Sequence, residues 1–532
     1  MQPPDEVALP LLRSLAVMLF LVCTLACSDQ APTSPLSALV TVPSSELAQP
    51  ATEKTKEYQR GGVTPELPRV LLDYTMPAVT GRSIKVRARG DLQDALDDAR
   101  RGDEIVLPAG ASFVGNFVLP AKSGTSADGW IVIRSDGQLP PVGTRVTPAH
   151  ANAMAQIVTP NVSPAIATAG PASGWWLSGI EVTVSPSVTS QQYGIITLGG
   201  NQSTLAAAPQ DLVLDRMYIH GQTTTNVSRC VALNSGRTQI SDSYIAECHG
   251  KDFQAQAVAG WNGSGPFKIV NNMLMGSGMS LMFGGADPAT PNLIPSDIEI
   301  RRNYLFTPVA WKGVWLKANL FETKNAARVL VEGNVFDGSW THAQTGWAII
   351  LKSENQSGRC RWCRTMDVTI RRNLITNAAG GINIAPRTNG ADSTTSRILI
   401  SENVLEGIGE GEFTGDQRGF QVLTQTAHIT ISRTVLSGSY QAALVLEGGD
   451  PASFSDNVWG RGAYGVIGTN KSPGLSTINH YAPRAKWANM TFVGESNGQY
   501  PPGTRWIAKE SGAQLAAQIR AVVRNATAGV VQ

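Results

Sequence analysis

Residues 298–305 read IEIRRNYL, and this stretch decides the fold. Apolar and polar residues alternate at strand spacing, and an asparagine then precedes a second apolar pair. The pattern returns as FKIVNNML at 267–274, VLVEGNVF at 329–336, VTIRRNLI at 368–375 and ILISENVL at 398–405. These five copies place asparagines at Asn272, Asn303, Asn334, Asn373 and Asn403.

The spacing of the copies indicates a repeat protein. Weaker copies carry Met217, Ser243 and Thr434 at the asparagine position. From Ser243 onward, equivalent positions of consecutive copies lie 29 to 31 residues apart, except for one interval of 39 residues. A regular period of this length is typical of a solenoid or an array. Strand spacing without helical periodicity predicts a β-solenoid of stacked parallel strands. Propeller blades would need a tight hairpin turn at each step, and such turns are missing.

A solenoid places equivalent residues in vertical columns. We therefore expect the asparagines to form a ladder of side-chain hydrogen bonds. Arg301, Glu332 and Arg371 occupy one further repeat position, so their alternating charges predict a structural ladder of ion pairs.

The composition supports a β-rich fold and argues against several functions. The chain has 532 residues, of which 42% are hydrophobic, so it can bury a large core. Charged residues make up 16%, below the usual ~25%, and glycine is frequent. The net charge of +2, with no basic run or zinc-finger spacing, argues against nucleic-acid recognition.

The N-terminal segment predicts export. The apolar run from Leu15 to Ala26 follows Arg13 and is too short to span a bilayer, as in a signal peptide. Residues 24–28, TLACS, resemble a bacterial lipobox, so residues 1–27 read as a signal peptide whose Cys27 would be acylated. We expect an exported protein, anchored to the outer membrane through Cys27, periplasmic or extracellular. A plain secretory signal is the alternative.

The remaining chain divides into a tether and one domain. Residues 28–68 are rich in proline, serine, threonine and alanine and predict a flexible tether. Residues 69–532 predict a single β-helix domain, with a cap helix at about 91–101 and another at about 512–525. We expect a monomer.

Four cysteines remain for the exported domain. Cys360 and Cys363 form a lone CxxC without a second pair or a nearby histidine, which favours a loop disulfide over a zinc site. Cys230 and Cys248 either pair with each other or stay as buried thiols.

Four segments of the chain resemble right-handed parallel β-helix proteins with the pectate-lyase-like fold, of a bacterial exported kind. These segments are residues 91–117, FGGADP at 283–288, IRRN at 300–303 and VEGNVF at 331–336. The resemblance covers about residues 80 to 530. It implies an all-β fold, a right-handed parallel β-helix with helical caps at both ends. The resemblance says little about activity, because this fold hosts lyases, hydrolases, esterases and non-enzymes.

A partial motif points to one of these activities. The chain lacks the acidic signatures of polygalacturonases and those of the main pectate lyases. Residues 352–355, KSEN, resemble a segment of alginate and chondroitin lyases of this fold, which also carry an arginine one rung later, here Arg387. Those lyases bind calcium through acids just before the lysine. Residues 344–350 contain none, so calcium is not supported, and we expect no cofactor.

The resemblance assigns roles that β-elimination on a uronate would require. Lys352 would be the base, Arg387 the carboxylate clamp or acid, and Lys324 the neighbour that lowers the pKa of the base. Counting from the asparagines places residues 321–325 under residues 349–353, and Glu322 would then orient a lysine. The alternative is that these are ordinary outward charges of a solvent-facing column.

Substrate binding is assigned to three tryptophans and one acid. Trp311, Trp315 and Trp340 lie in loop-like stretches beside the lysines and suit sugar stacking, although loop packing is the alternative. Asp287 is the fourth candidate. The scattered histidines predict no catalytic metal.

These residues leave three functions open. The first is a polysaccharide lyase acting on acidic glycans. The second is an inverting glycoside hydrolase using acids such as Asp287, Glu322 and Glu447. The third is a non-enzymatic surface protein that binds glycan or acts as a scaffold.

Overall fold

The computed structural model describes residues 64–438 and 440–531. All of them lie in one unit, Glu57–Gln532. The predicted signal peptide with Cys27 and most of the predicted tether lie outside the described residues. Export, acylation and the boundary at residue 69 therefore stay predictions.

Three long parallel sheets form the molecule, with 14, 12 and 14 strands. Each turn of the chain adds one strand to sheet A, the next to sheet B and the third to sheet C, so that successive turns stack as rungs. The alternating pattern read from residues 298–305 spans the end of a sheet A strand and the start of a sheet B strand. The fold is a right-handed parallel β-helix, as predicted.

Sheet A holds the strands before the ladder asparagines. Its strands are Ser83–Lys85, Glu104–Leu107, Ile131–Ser135, Ser173–Ser178, Gln210–Asp215, Gly236–Ser241, Phe267–Val270, Ser296–Arg301, Ala326–Glu332, Thr365–Arg371, Thr395–Ser401, Thr426–Ser432, Gly449–Ser455 and Lys486–Ala488.

Sheet B holds the strands that follow the asparagines. Its strands are Ser112–Val114, Ala155–Thr159, Ile180–Val184, Tyr218–His220, Tyr244–Cys248, Met273–Gly276, Tyr304–Phe306, Val335–Ser339, Leu374–Ala378, Val404–Ile408, Val435–Gly438, Val458–Gly460, Thr491–Val493 and Arg505–Ile507.

Sheet C completes each turn and carries the predicted lysines at its edge. Its strands are Phe117–Leu119, Ile166–Thr168, Ile196–Leu198, Arg229–Leu233, Gln256–Gly260, Met279–Phe283, Phe321–Thr323, Trp347–Leu351, Gly380–Ile384, Arg418–Val422, Ala442–Leu446 and Val466–Ile467.

The asparagine ladder, which we define as Asn272, Asn303, Asn334, Asn373 and Asn403, lies at the corner between sheets A and B. From Asn272 to Asn373, each side-chain amide donates to the carbonyl oxygen of the next asparagine, as from Asn303 to Asn334 at 3.0 Å. Each carbonyl also accepts from the backbone N–H of the preceding ladder residue, as in Asn303 N to Asn334 Oδ1 at 2.9 Å. The ladder thereby satisfies buried polar groups at this corner, as predicted.

The second predicted column is also present. Glu332 pairs with Arg371 at 2.9 Å and with Arg301 at 3.3 Å, and Arg372 adds a further pair at 3.2 Å. The Glu332 side chain is only 8% exposed, so this ladder is more buried than an ordinary surface ion pair.

Three α-helices accompany the sheets in the described residues: α1 (Leu92–Asp98), α2 (Leu475–Tyr481) and α3 (Lys509–Ala526). The Asp91 side chain accepts from Asp94 N at 3.0 Å and begins α1. Leu92 and Leu96 are buried in the main core, so α1 caps the N-terminal end as expected. Short 3-10 helices are Ser126–Asp128, Pro148–Ala153, Leu205–Ala207, Pro291–Leu293 and Val309–Trp311.

The C-terminal helix does not lie where an end cap would. Helix α3 packs on the outer face of sheet B, where Ala516 and Val523 contact a cluster with Val404, Val435 and Val458. A continuous valine column on that face provides an apolar surface that an amphipathic helix can cover. At the C-terminal end itself, Ile478 of α2 joins the main core.

Both disulfides form within single turns or neighbouring rungs. Cys360 and Cys363 are bonded, as predicted for the CxxC loop. Cys230 and Cys248 are also bonded, which decides between the two alternatives left by the sequence. No helix among the described residues is long and apolar enough to cross a membrane.

Candidate functional site

Lys324 and Lys352 follow neighbouring strands at the same edge of sheet C. Phe321 pairs with Ile349, and Thr323 pairs with Leu351. This is the register predicted by counting from the asparagines. Because each lysine directly follows its strand, the two side chains leave the sheet one rung apart.

The two lysines converge on one carboxylate. Glu354 Oε2 lies 2.8 Å from Lys352 Nζ and 3.3 Å from Lys324 Nζ. Lys352 Nζ is also 3.7 Å from Glu322 Oε1, and Lys324 Nζ donates to Gln356 Oε1 at 2.8 Å. We call Glu322, Lys324, Lys352 and Glu354 the lysine cluster.

The charges in this cluster compensate one another. Burial alone would raise the pKa of Glu354, but hydrogen bonds and charge from Lys352 and Lys324 outweigh it and hold that pKa below 4.5. Glu354 is therefore ionised at neutral pH. Lys352 thus has carboxylates as its closest charged neighbours, whereas the sequence placed a cation in that position.

Exposure divides the cluster into a reachable and a buried part. The Lys352 side chain is 21% exposed, against 11% for Lys324 and 8% for Glu354. Glu322 is 1% exposed, and its Oε1 makes no hydrogen bond. A ligand on the surface of sheet C would therefore meet Lys352 before any other member of the cluster.

A buried polar network extends from Glu322 into the loop between sheets B and C. Asn319 Nδ2 donates to Glu322 Oε2 and to Gln344 Oε1, both at 3.2 Å. Lys317 Nζ donates to the Asn319 carbonyl and to Thr307 Oγ1, both at 2.9 Å. Lys317 is fully buried, and burial lowers its pKa well below the ordinary value.

The sequence offered signals for two of these residues. Lys317 interrupts the apolar run VWLKANLF at 314–321, where a charged residue has to be buried or to break the run. Glu354 lies inside the quoted segment KSEN, two residues after Lys352, but the spacing alone does not tell whether its side chain turns back toward the lysines.

Arg387 is not part of the lysine cluster. The rungs are adjacent as expected, because Glu354 and Thr388 form a parallel bridge. The Arg387 side chain is exposed, and its Nη1 donates to the Asp392 carbonyl at 2.6 Å. Instead, Asn389 Nδ2 donates to Glu354 Oε1 at 3.2 Å.

The three tryptophans are buried, which contradicts an open stacking surface. Trp311, Trp315 and Trp340 are 9%, 4% and 1% exposed, and they pack in a cluster with Met273 and Met275. These methionines form an apolar patch on the outer face of sheet B, and the tryptophan loops fold back to cover it. Loop packing, the alternative considered above, describes these rings.

Asp287 also has a structural contact. Its Oδ2 accepts from the backbone N–H groups of Ser357 and Arg359, both at 3.0 Å, and the residue is 9% exposed. It thereby anchors the loop that contains the Cys360–Cys363 disulfide. The loop therefore occupies Oδ2, whereas Oδ1 is buried and makes no hydrogen bond. The structure does not place Asp287 on an open surface for the substrate contact expected from the sequence.

Polar side chains continue along sheet C beyond the lysine cluster. Ile350 pairs with Asn383, and Asn383 pairs with Gln421 on the following rung. Gln421 Nε2 donates to Asn383 Oδ1 at 3.2 Å, and Arg418 Nη1 bonds to Gln421 Oε1. Asn383 and Gln421 are only 8% and 6% exposed, so the row continues the polar column of sheet C over two further rungs, ~4.8 Å apart, and is largely buried.

Two further observations bear on the site. Within residues 64–438 and 440–531, no group of three or more histidine, cysteine, aspartate or glutamate side chains could hold a metal ion. A groove of about 770 Å³ lies elsewhere, between sheet B and α3, and none of the sequence-predicted site residues lines it.

Comparisons with known proteins find similar solved structures at low sequence identity. No family model and no curated protein matches the chain. Solved structures do match. An alginate lyase from Paenibacillus sp. str. FPU-7 is 15% identical over 72% of this chain and 97% of its own, with a TM-score of 0.32.

Two further structures match at similar identity. A mannuronic acid specific polysaccharide family 6 lyase from human gut microbiota is 12% identical over 84% of this chain and 99% of its own, with a TM-score of 0.45. A tailspike protein of E. coli bacteriophage HK620, in complex with a pentasaccharide, is 12% identical over 80% and 64%, with a TM-score of 0.43. The assignment of this chain as a parallel β-helix protein rests on its own three parallel sheets.

Proposed function

We propose that this protein is a polysaccharide lyase that cleaves uronate-containing glycans by β-elimination. The observation that carries the proposal is the pair Lys324 and Lys352, which leave sheet C one rung apart beside a row of polar side chains. In the reaction, a base removes the proton α to the uronate carboxylate. The bond from C4 to the leaving sugar breaks, a C4–C5 double bond forms, and the leaving oxygen takes up a proton.

The cluster assigns different tasks to its members. Lys352 is the base, because it is the most exposed member. Lys324 balances the substrate carboxylate, whose negative charge grows in the transition state. Glu322 positions Lys352 from below. Arg387 serves as clamp or acid after its exposed side chain leaves the Asp392 carbonyl.

The mechanism requires Lys352 to lose its proton before it can act. Glu354 and Glu322 lie 2.8 Å and 3.7 Å from its ammonium group, so the arriving uronate has to draw Glu354 away or the proton has to leave to solvent. The rate therefore depends on pH through this step.

Glycan binding without catalysis is the second candidate function. It is favoured by the compensation of Lys352 by Glu354 at 2.8 Å, because a paired ammonium is a better hydrogen-bond donor to a sugar than a base. Lipid anchoring through Cys27 would place such a protein at the cell surface, and this part of the proposal rests on the N-terminal sequence alone.

The test incubates the mature protein with alginate, pectate and chondroitin. Ultraviolet absorbance reports unsaturated ends, and a separate assay reports reducing ends. We expect absorbance with one acidic glycan and its loss in Lys352→Ala, whereas Lys486→Ala, which changes an exposed lysine on sheet A, keeps the rate. Full activity of Lys352→Ala would refute the assignment.

The same assay separates the alternatives. Reducing ends without absorbance would indicate a hydrolase. Neither signal, together with retained binding to an acidic glycan, would indicate a binding protein.

A further inference from the structure

The groove between α3 and sheet B is built from two different walls. On one side lie residues of four sheet B strands, and on the other lie Gly512, Ala513 and Ala516 of the helix. Its volume of about 770 Å³ falls within the range usual for ligand sites, about 300–1,000 Å³.

Small residues keep the groove open. The outward column of sheet B narrows from Glu406 through Ser437 to Gly460, and the larger Val493 continues it on the next rung, so the floor is lowest at Gly460. At Gly512 an added Cβ would lie 2.5 Å from Val493 Cγ2, so this glycine lets the helix approach the sheet. Ala513 is exposed at the wall of the groove, where a larger side chain would fill the space without entering the core.

Charged side chains line this groove, and three of them have no partner. Arg520 forms an ion pair with Glu406 and donates to Ser437 Oγ at 3.2 Å. Glu410, Arg461 and Lys509 form no side-chain hydrogen bond or ion pair with any residue in the described ranges. The unpaired groups are thus two cations and one acid.

We propose that this groove is a second, non-catalytic binding site for a short segment of carboxylated glycan. The choice of a uronate-containing glycan as the ligand rests on the proposed function. Arg461 and Lys509 bind a sugar carboxylate. Glu410 accepts hydrogen bonds from sugar hydroxyl groups, and Ser437 donates one to a hydroxyl oxygen. The valine and alanine side chains of the floor contact the apolar faces of the sugar rings. The site lies on sheet B, whereas the lysine cluster lies on sheet C.

A second site of this kind would hold an acidic polymer on the protein between cleavage events. Two moderate sites on one chain raise the effective concentration of the polymer at the catalytic one. Binding in the groove is therefore expected to lower the KM for long polymers and to leave the cleavage of short oligosaccharides unchanged.

The test measures binding by isothermal titration calorimetry in the Lys352→Ala background, so that no cleavage occurs. The probes are tetrasaccharides of mannuronate and of galacturonate, with neutral maltotetraose as the control ligand. We expect one acidic tetrasaccharide to bind and maltotetraose not to bind. Ala513→Trp, which fills the groove, and the double variant Arg461→Ala/Lys509→Ala should each weaken binding about tenfold or more.

Gln518→Trp is the matched control, because Gln518 lies on the opposite, exposed face of α3 and does not line the groove. It should leave the affinity unchanged, and thermal unfolding checks that all variants fold. Equal binding by Ala513→Trp and Gln518→Trp would overturn the proposal. Equal binding of maltotetraose, or no binding of either acidic probe, would also overturn it.

The outcome is separable from that of the proposed function. If the parent protein shows no lyase activity but Ala513→Trp loses binding, the groove stands and the lyase assignment falls. If lyase activity is present and Ala513→Trp binds normally, the lyase stands and the groove site falls.

Discussion

Glu354 lies between two lysines that the sequence assigns to catalysis, and its contacts change what those lysines can do. Its Oε2 contacts both ammonium groups, at 2.8 Å and 3.3 Å, while Asn389 holds its other oxygen at 3.2 Å. The carboxylate is thereby fixed on both sides. Its negative charge lies against the Lys352 ammonium group, and such an ion pair opposes the role of Lys352 as a base.

The first prediction concerns the pH dependence of cleavage. Glu354→Gln removes a negative charge beside Lys352, so the ammonium loses its proton more easily. The rising limb of the rate against pH should move to lower pH by about one unit. The measurement is the initial rate over a pH series. Glu495→Gln, an exposed acid without an ion pair among the described residues, is the control. An unmoved or oppositely moved limb would mean that Lys352 is not the base.

The second prediction concerns stability in acid. The pKa of Glu354 is lower in the folded protein than its ordinary 4.5, so it adds stability that is present above 4.5. This stability is lost as pH falls through the lower, folded-state pKa. Between about pH 6 and about pH 3, the wild type should lose more unfolding free energy than Glu354→Gln. Urea unfolding measures this, and equal losses in the two proteins would contradict it.

At the scale of elements, the asparagine ladder joins consecutive rungs at one corner. The residue before each asparagine adopts a left-handed backbone, with φ of 55° at Arg302 and 57° at Arg372. Gly333, with φ of 67°, is the glycine in this position, and an added Cβ there would lie 2.9 Å from the Ala526 carbonyl of α3. The corner position before the asparagine therefore tolerates several residues, while the ladder asparagines at 272, 303, 334 and 373 use both the donor and the acceptor of the amide.

The third prediction tests the ladder at its centre. Asn334→Ala removes bonds to the Ile300 carbonyl, to Asn373 Oδ1 and from Asn303, all between 2.9 and 3.0 Å. Buried partners left unsatisfied should cost about 2–4 kcal/mol of unfolding free energy.

Asn334→Thr is the matched variant, because Thr434 already fills a ladder position and its Oγ1 bonds to Asn457 Oδ1 at 2.7 Å. We expect it to cost about half as much as the alanine variant. Equal losses for the two variants in denaturant unfolding would show that side-chain volume, not hydrogen bonding, governs this position.

At the scale of the whole molecule, the C-terminal segment returns along the side of the β-helix. Helix α3 has 18 residues, which span ~27 Å, or five to six rungs. Beyond it, Arg302 Nη2 donates to the Ala528 carbonyl at 3.0 Å, and Arg145 Nη1 donates to the Val530 carbonyl at 2.7 Å. Burial lowers the pKa of Arg145 to about 10. The segment thus links rungs that are distant in sequence.

The fourth prediction is that α3 stabilises the solenoid as a lateral support. Val523→Asp places a carboxylate at a site that is 2% exposed against Val404 and Val435. It should lower the free energy of unfolding by about 3 kcal/mol or more and expose apolar surface of sheet B. Thermal unfolding and binding of a hydrophobic dye measure these effects. Ala521→Asp, on the exposed side of α3, should change neither.

The fold was largely predictable because repetition makes it a local problem. Five copies around the asparagines fix the rung length, and the rung length fixes which residues become vertical neighbours. The alignment of residues 321–325 under 349–353 followed from this count, and the structure confirms it.

The site was less predictable because loops do not repeat. The spacing of Trp311 and Trp340 is equally compatible with a solvent-facing ring and with a ring packed on a sheet. The outward-facing methionines of sheet B, which need an apolar cover, decide in favour of burial. Arg387 shows the same limit, since its rung was predicted but the direction of a long, exposed side chain was not.

The sequence by itself determined the parallel β-helix, its period, both ladders, the CxxC disulfide and the adjacency of Lys324 and Lys352. All of these depend on a fixed number of residues per rung. Only the tertiary structure decided that Glu354 compensates the lysines, that the tryptophans are buried and that α3 lies on sheet B. These features arise where non-repeating segments pack against the solenoid. Such a segment packs on whichever solenoid surface needs to be covered, and the spacing of residues in the chain does not encode which surface that is.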